Sequence, residues 1–214
     1  MNNKININTK KLHPWLQYLL KKGIKKCNKK GIYVIITEGF RTVAYQNKLY
    51  AQGRTKPGVI VTNARGTDYA SQHQWGIAFD IAIVDDKTTK KKEGTWDIKT
   101  IKKAAKIFKS VGLGWGGDWQ GFIDTPHMYI KKWGSTTSKL RKKYGTPDRF
   151  KKDWTRYTKG KTRLYKSKDM NKKKVKSWIP KGKRVEVLWY SKLGIAKVKY
   201  DGKVGFVFRK QLKK

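Results

Sequence analysis

Along the chain, apolar positions first recur at three- and four-residue spacing. Trp15, Leu16, Leu19, Leu20, Ile24 and Cys27 share one face of residues 13–30, with lysines opposite, which predicts an amphipathic helix. The run 32–37 (IYVIIT) is short and β-branched and predicts a buried strand. A second helix is predicted over 43–52, ended by Gly53, and the Gly-, Thr- and Asn-rich stretch 54–70 predicts a long loop. A strand over 77–84 (IAFDIAIV) and a Lys-rich break at 87–94 follow. The next helix, over 97–111, has Ile98, Ile101, Ala104, Ala105 and Phe108 on one face. A glycine-rich turn at 113–119 (LGWGGDW) and a short strand at 127–130 (HMYI) come next. Residues 133–156 hold turn formers and charges with few aliphatics, the texture of a linker with one short helix. From 157 the period shortens. RLYK, RVEVLWY, IAKVKY and VGFVF alternate with the turns PKGK, KLG and YDGK, which predicts a small barrel. The predicted class is α+β: a domain over 1–150 with an antiparallel sheet and flanking helices, a linker at 151–156, and an all-β barrel over 157–214.

A chain of 214 residues can hold one medium and one small domain. Only 37% of it is hydrophobic, but nine tryptophans and eleven tyrosines supply much core volume per residue. No stretch approaches the roughly 18 apolar residues that span a bilayer. The segment MNNKININTKKLHPW lacks the apolar core of a signal peptide. Work outside the cytoplasm is therefore expected to need release by another route, such as a membrane pore. The single cysteine, Cys27, excludes an internal disulfide and a Cys-rich metal cluster, and its helix-face position predicts a small buried hydrophobe. The charge is extreme: 53 Lys and Arg against 14 Asp and Glu give +39, spread over both parts of the chain. Such a field attracts polyanions, whether nucleic acid, anionic lipid or the anionic polymers of a Gram-positive wall, without choosing among them.

Three histidines carry the candidate chemistry. His13 precedes Pro14 at a helix start and reads as a surface or capping residue. His73 lies seven residues before Asp80, which sits among Ile77, Ala78, Phe79, Ile81, Ala82 and Ile83. A carboxylate in such a strand is costly to bury without a cation or hydrogen bonds to compensate it. Facing solvent from a half-exposed strand would also satisfy it. His127 follows Asp124 by three residues. Two histidines and a carboxylate would leave an open fourth position on a zinc ion, the pattern of catalytic zinc. Asp124 is then placed to exchange a proton with water activated there. Asp118, in the glycine-rich turn, is a weaker candidate, since a solvated aspartate is ordinary there. On spacing alone the metal reading and the ordinary structural one stand about level.

Ser71-x-His73-x-x-Gly76-x-Ala78-x-Asp80 followed by Asp124-x-Pro126-His127 resembles the family of D-alanyl-D-alanine carboxypeptidases and L-alanyl-D-glutamate endopeptidases. Phage endolysins and bacterial wall hydrolases belong to it. Glu38-Gly39-Phe40-Arg41-Thr42 resembles the family's Gly-aromatic-Arg-Ser/Thr element. The helix and loop from Tyr45 to Gly58, with Gly114-Trp115-Gly116-Gly117-Asp118-Trp119, resemble its endopeptidase branch. The resemblance implies that His73, Asp80 and His127 bind zinc, that Asp124 is the catalytic acid/base, and that Arg41 stabilises the oxyanion or a substrate carboxylate. It implies substrate contacts for Ser71, Gln46 and Trp115. Each has a plainer reading too: a local cap, a helix-face glutamine and a core tryptophan. Gly76 is expected to permit a close backbone turn.

Residues 157–214 resemble a bacterial SH3-like domain through Thr162–Tyr165, Ile179–Gly182, Val185–Leu188 and Lys197–Val207. Trp178, Trp189 and Tyr190 are candidates for a binding surface, with others in the core. The function implied is a zinc-dependent peptidoglycan endopeptidase of the endolysin type. It would cut between L-Ala and D-Glu, act as a monomer, and have peptidoglycan and anionic wall polymers as partners, with no specific nucleic acid and no membrane insertion. Three other readings are a D-Ala-D-Ala carboxypeptidase of the same fold, a basic nucleic-acid-binding protein, and a wall-binding protein without catalysis.

Overall fold

The computed structural model describes residues 9–84 and 94–214; the predicted Lys-rich break falls almost wholly outside them. The chain divides into two compact units, one built around Leu16–Pro147 and the other around Asp148–Lys214. Among the described residues no helix is long and apolar enough to cross a membrane.

In the first unit, helix α1 (Pro14–Asn28) opens with the Trp15 amide donating to His13 Nδ1, so His13 caps it. Strand β1 (Tyr33–Glu38), helix α2 (Val43–Ala51), strand β2 (Ala78–Val84), helix α3 (Ile98–Ser110), strand β3 (Leu113–Trp115) and strand β4 (His127–Ile130) follow. The four strands form one antiparallel sheet in the order β1-β2-β4-β3. Leu113–Trp115 is thus an edge strand, where its glycine and the glycines after it predicted a turn. Pairing with β4 holds Gly114 opposite Tyr129, so tertiary context overrides a weak strand former.

Every residue of β2 is buried, so both faces of this strand are covered. Side chains alternate along a strand. Phe79, Ile81 and Ile83 share one face, with Phe79 meeting the Phe108 ring of α3 edge-on at 5.6 Å. Ala78, Asp80 and Ala82 share the other. Leu16, Leu19, Leu20 and Cys27 of α1 and Ile101, Ala104, Ala105 and Phe108 of α3 are buried, as their helical spacing predicts. Burial pushes the Cys27 thiol up to about 11, consistent with an inert core residue. Phe108 is fully buried, so Phe108→Ala is expected to cost about 3–5 kcal/mol, read as a lower midpoint of chemical unfolding.

Two short helices, α4 (Ser138–Tyr144) and α5 (Pro147–Lys151), occupy the stretch expected to be a linker. Residues 151–156 belong to ordered elements: the end of α5, a 3-10 turn and the start of strand β5 (Thr155–Thr158). Few aliphatics mark β5 because only Thr158 in it is buried. Its partners are β8 (Arg184–Tyr190) and β11 (Leu212–Lys213). With β6 (Thr162–Tyr165), β7 (Val175–Ile179), β9 (Ile195–Tyr200) and β10 (Lys203–Phe208) they make a seven-stranded antiparallel sheet, ordered β11-β5-β8-β9-β10-β6-β7. Leu164, Ile179, Val185, Val187, Ala196, Val198, Val207 and Leu212 form a single core. Residues from both outermost strands, β7 and β11, share that core, which requires the sheet to curl. No pairing joins β7 to β11 among the described residues, so the hydrogen-bonded ring is open, a half-barrel. The Asp201-Gly202 pair, both at positive φ, closes the β9–β10 hairpin with Tyr200 paired to Lys203.

Candidate metal centre and active site

Strand register builds the centre. Asp80 on β2 pairs with His127 on β4 and, across a bulge, with Glu38 on β1. His73 arrives from a 3-10 turn, Gln72–Trp75, which ends at Gly76 in the left-handed conformation (φ 65°), the close turn expected there.

His73 Nε2, His127 Nδ1 and Asp80 Oδ1 form a triangle. The edges are 3.2 Å between the two imidazoles, 3.1 Å from His127 to Asp80 and 3.3 Å from His73 to Asp80. All three residues are buried. The outer nitrogens fix which atoms face inward. His73 Nδ1 lies 2.8 Å from the Gly39 carbonyl, to which it donates. His127 Nε2 lies 2.8 Å from Gln72 Oε1, and the Gln72 amide nitrogen donates to the Gly134 carbonyl at 2.9 Å, which sets the amide's orientation. Both histidines therefore spend their ring N–H outward, and two lone pairs and a carboxylate oxygen point at one another.

Three inward acceptors repel unless a cation sits among them. Tetrahedral zinc with bonds of about 2.0–2.1 Å places its ligand atoms roughly 3.3–3.4 Å apart, close to the edges found here. The donor chemistry and its spacing thus fit zinc. A proton is a poor substitute: burial, with help from the Arg41 charge, lowers the His73 pKa to about 4. Burial works against the Asp80 charge, but the two imidazoles beside it outweigh burial and hold the carboxyl well below its usual range. At neutral pH Asp80 is ionised and His73 neutral, so their contact is not an ordinary ion pair.

Arg41 lies directly before α2. Its Nη2 donates to Asp80 Oδ2 at 3.2 Å, its Nε binds Glu38, and its Nη1 donates to Gln46 Oε1 at 3.4 Å. The guanidinium orients the ligand carboxylate and keeps two N–H groups free of these contacts.

Asp124 Oδ2 stands 3.8 Å from His127 Nδ1, and its side chain is 29% exposed, so solvent reaches it. Burial raises its pKa; the Asp80 charge adds to this, while His127 and Arg41 oppose it. Its loop is held tightly. The Asp124 amide donates to the Gly116 carbonyl at 3.2 Å, and the Trp115 indole donates to the Thr125 carbonyl at 2.6 Å. A Cβ on Gly116 would lie 2.4 Å from the Asp124 carbonyl oxygen, inside any tolerable contact. The same Cβ would lie 3.0 Å from the Cβ of His127, so Gly116→Ala is expected to displace both Asp124 and His127 and to lower any turnover that uses the Asp124 carboxylate at least about 10²-fold, the cost of about 1 Å of misplacement.

The other expected contacts have different places. Gln46 is fully buried, and its amide nitrogen donates to Thr62 Oγ1 and the Ala64 carbonyl. With its oxygen taken by Arg41, it braces the loop around 62–64 and does not line a cleft. Trp115, 9% exposed, likewise braces the Asp124 loop. The Ser71 amide donates to Gln74 Oε1 at the start of the 3-10 turn, in keeping with a local cap. Asp118 forms an exposed ion pair with Lys109. Sequence reasoning missed Gln72, Glu38 and Trp119. The Trp119 ring lies 5.0 Å from the His127 ring, and its indole donates to Tyr129 Oη. Gln72 neighbours His73, but no spacing rule links it to a histidine 55 residues away.

Comparison with known proteins bears on this region. A family profile described as D-alanyl-D-alanine carboxypeptidase matches residues 65–130, which contain His73, Asp80, Asp124 and His127. A peptidoglycan L-alanyl-D-glutamate endopeptidase from Bacillus subtilis (strain 168) is 44% identical over 110 residues, 46% of this chain and 61% of that protein. An L-alanyl-D-glutamate peptidase from Listeria phage A118 is 32% identical over 109 residues, 50% of this chain and 34% of that protein. The matches thus span less than two thirds of either curated relative. Among solved structures, the L-Ala D-Glu endopeptidase ChiX of Serratia marcescens aligns at a TM-score of 0.43 with 18% identity. That alignment covers 58% of this chain and 84% of that one.

Proposed function

We propose that the first unit is a zinc-dependent peptidoglycan endopeptidase that cleaves the stem peptide between L-Ala and D-Glu. The second unit is an SH3-like domain that holds the enzyme on the wall. The observation that carries this reading is the inward-facing donor triangle with a protonatable Asp124 at its edge. The similarity to two L-alanyl-D-glutamate peptidases, one from a phage, supports the bond and an endolysin-type role.

His73, Asp80 and His127 would hold the ion. When bound, zinc polarises the scissile carbonyl and lowers the pKa of water. Asp124 takes a proton from the attacking water and returns it to the leaving amine, from a position at the edge of the triangle that solvent reaches. Arg41 keeps Asp80 ionised and oriented, and its remaining N–H groups add positive potential where negative charge develops on the carbonyl oxygen. Trp119 shields the His127 side of the centre. A wall-binding second unit raises the local concentration of the catalytic unit at an insoluble substrate.

The test is digestion of purified peptidoglycan by the intact chain, with identification of the new termini. Alanine carboxyl ends and glutamate amino ends are expected, lost on chelation and restored by zinc. Release of free D-alanine instead would make the protein a carboxypeptidase. No cleavage of any wall chemotype by a folded, zinc-loaded sample would remove the enzymatic reading.

A further inference from the structure

Trp178 of the second unit is 46% exposed, on β7 at the open edge of the sheet. The burial of β7 alternates, placing Lys176 and Trp178 outward and Ile179 in the core. Across the ladder, Arg163 of β6 pairs directly with Trp178. Its guanidinium carbon lies 4.8 Å from the centre of the indole ring, and the Lys161 ammonium lies 5.0 Å from the same point. Lys161 lies just before β6, and its ammonium reaches the same ring. The two cations are thus at most about 10 Å apart, one Debye length at 0.1 M salt.

The ring attracts each cation, but neither charge is neutralised. The acidic side chains of this unit are Asp148, Asp153, Asp169, Glu186 and Asp201. Three of them pair elsewhere, Asp148 with Lys151, Asp153 with Arg156 and Glu186 with Lys199, and Asp169 is bound by Ser167. Among the described residues no ion pair reaches Arg163 or Lys161. An exposed indole therefore holds two like charges, one of them in register with it across the ladder, neither in an ion pair among the described residues. An anion with a repeating charge relieves their repulsion and gains both contacts.

We propose that the Trp178–Arg163–Lys161 face binds the phosphodiester backbone of an anionic wall polymer built from polyol phosphate units. This deepens the proposed wall attachment of the second unit and rests on that reading. Nucleic acid carries the same linkage, but the geometry favours a polymer without bases. A base stacking on the ring face that the cations cover must displace them, whereas phosphate oxygens reach both cations where they stand. The apolar indole edge suits the carbon skeleton between phosphates.

The experiment measures binding of the intact chain to synthetic polyglycerol phosphate, and to sacculi before and after extraction of their phosphopolymer. It compares wild type, Trp178→Ala and the pair Lys161→Gln with Arg163→Gln. Trp178 and Arg163 lie on the sheet's outer face and Lys161 is exposed just before β6, and circular dichroism checks that each variant folds. Affinity is expected to fall about tenfold in each variant, with the salt dependence reduced by about two counterions in the double variant. Unextracted sacculi should bind more tightly than extracted ones. Equal binding by wild type and variants, or no loss on extraction, would overturn the assignment. A larger loss for single-stranded DNA than for the polymer would also overturn it and mark a nucleic-acid surface. Cleavage of soluble muropeptides, measured on the same samples, reports separately on the peptidase reading. It is expected to be unchanged in the variants.

Discussion

Asp124→Asn is expected to lower kcat for stem-peptide cleavage by about 10²–10⁴-fold while leaving zinc stoichiometry at the wild-type value. The asparagine keeps the loop's shape and its backbone bonds to Gly116, but it can neither accept nor deliver the proton. The residue is not one of the three donors of the triangle, so metal content should not follow activity down. The pH profile sharpens the test. In the metal-free protein burial raises the pKa of Asp124, and in the zinc-loaded enzyme the acid limb of kcat/KM that belongs to this base should vanish in the asparagine variant. Activity should rise with pH as the base ionises. Stability runs the other way. With the folded pKa above the unfolded one, the native state binds more protons in that window and stability falls as pH rises through it. Above the window the ionised Asp124 is a net cost. The metal-free asparagine variant should therefore melt at or above the wild-type temperature at neutral pH. A variant that loses zinc or melts much lower would show that Asp124 supports structure and is not the proton shuttle.

Gln72→Leu is expected to weaken zinc binding about 10–100-fold, measured by competition with a chromophoric chelator. The amide oxygen of Gln72 accepts the Nε2 proton of His127, and its nitrogen is anchored on the Gly134 carbonyl. Leucine fills the space but accepts nothing, leaving a buried N–H unpaired and the imidazole free to move its proton to Nδ1. That proton would sit inside the donor triangle and compete with the metal. Gln72→Glu keeps an acceptor against His127 and should retain more of the affinity than leucine, despite losing the donor to Gly134. Equal losses in the two variants would assign Gln72 to packing alone.

Much of the first unit was legible because its elements repeat their apolar positions with clear periods. The α1 face, the β-branched β1 run and the α3 face fall where the spacing places them, except that Ile98, at the first turn of α3, is exposed. Elements whose stability comes from their partners were not legible. Leu113–Trp115 contains a glycine and is followed by two more, and Thr155–Thr158 buries a single side chain. Both are strands because a neighbour's backbone is there to bond. Val175–Ile179 escaped notice for a related reason: as an edge strand it shows water a lysine and a tryptophan. At the site, the histidines and aspartates stood out by residue type, and the fold brings them together. The roles of Gln46 and Trp115 did not stand out. A glutamine or tryptophan near a cleft can face the ligand or brace the wall, and only the hydrogen-bond partners tell which.

The register that sets Asp80 opposite His127 also has a bearing on quality control. A slip of one residue along β2 would exchange Asp80 for Phe79 or Ile81 in the triangle and turn the carboxylate into the packed layer against α3. Such a chain has no donor set. On the proposed zinc reading, metal uptake would be a late event, open only to molecules whose central strands are correctly aligned, and the binding energy of the ion would count as folding energy for those molecules alone.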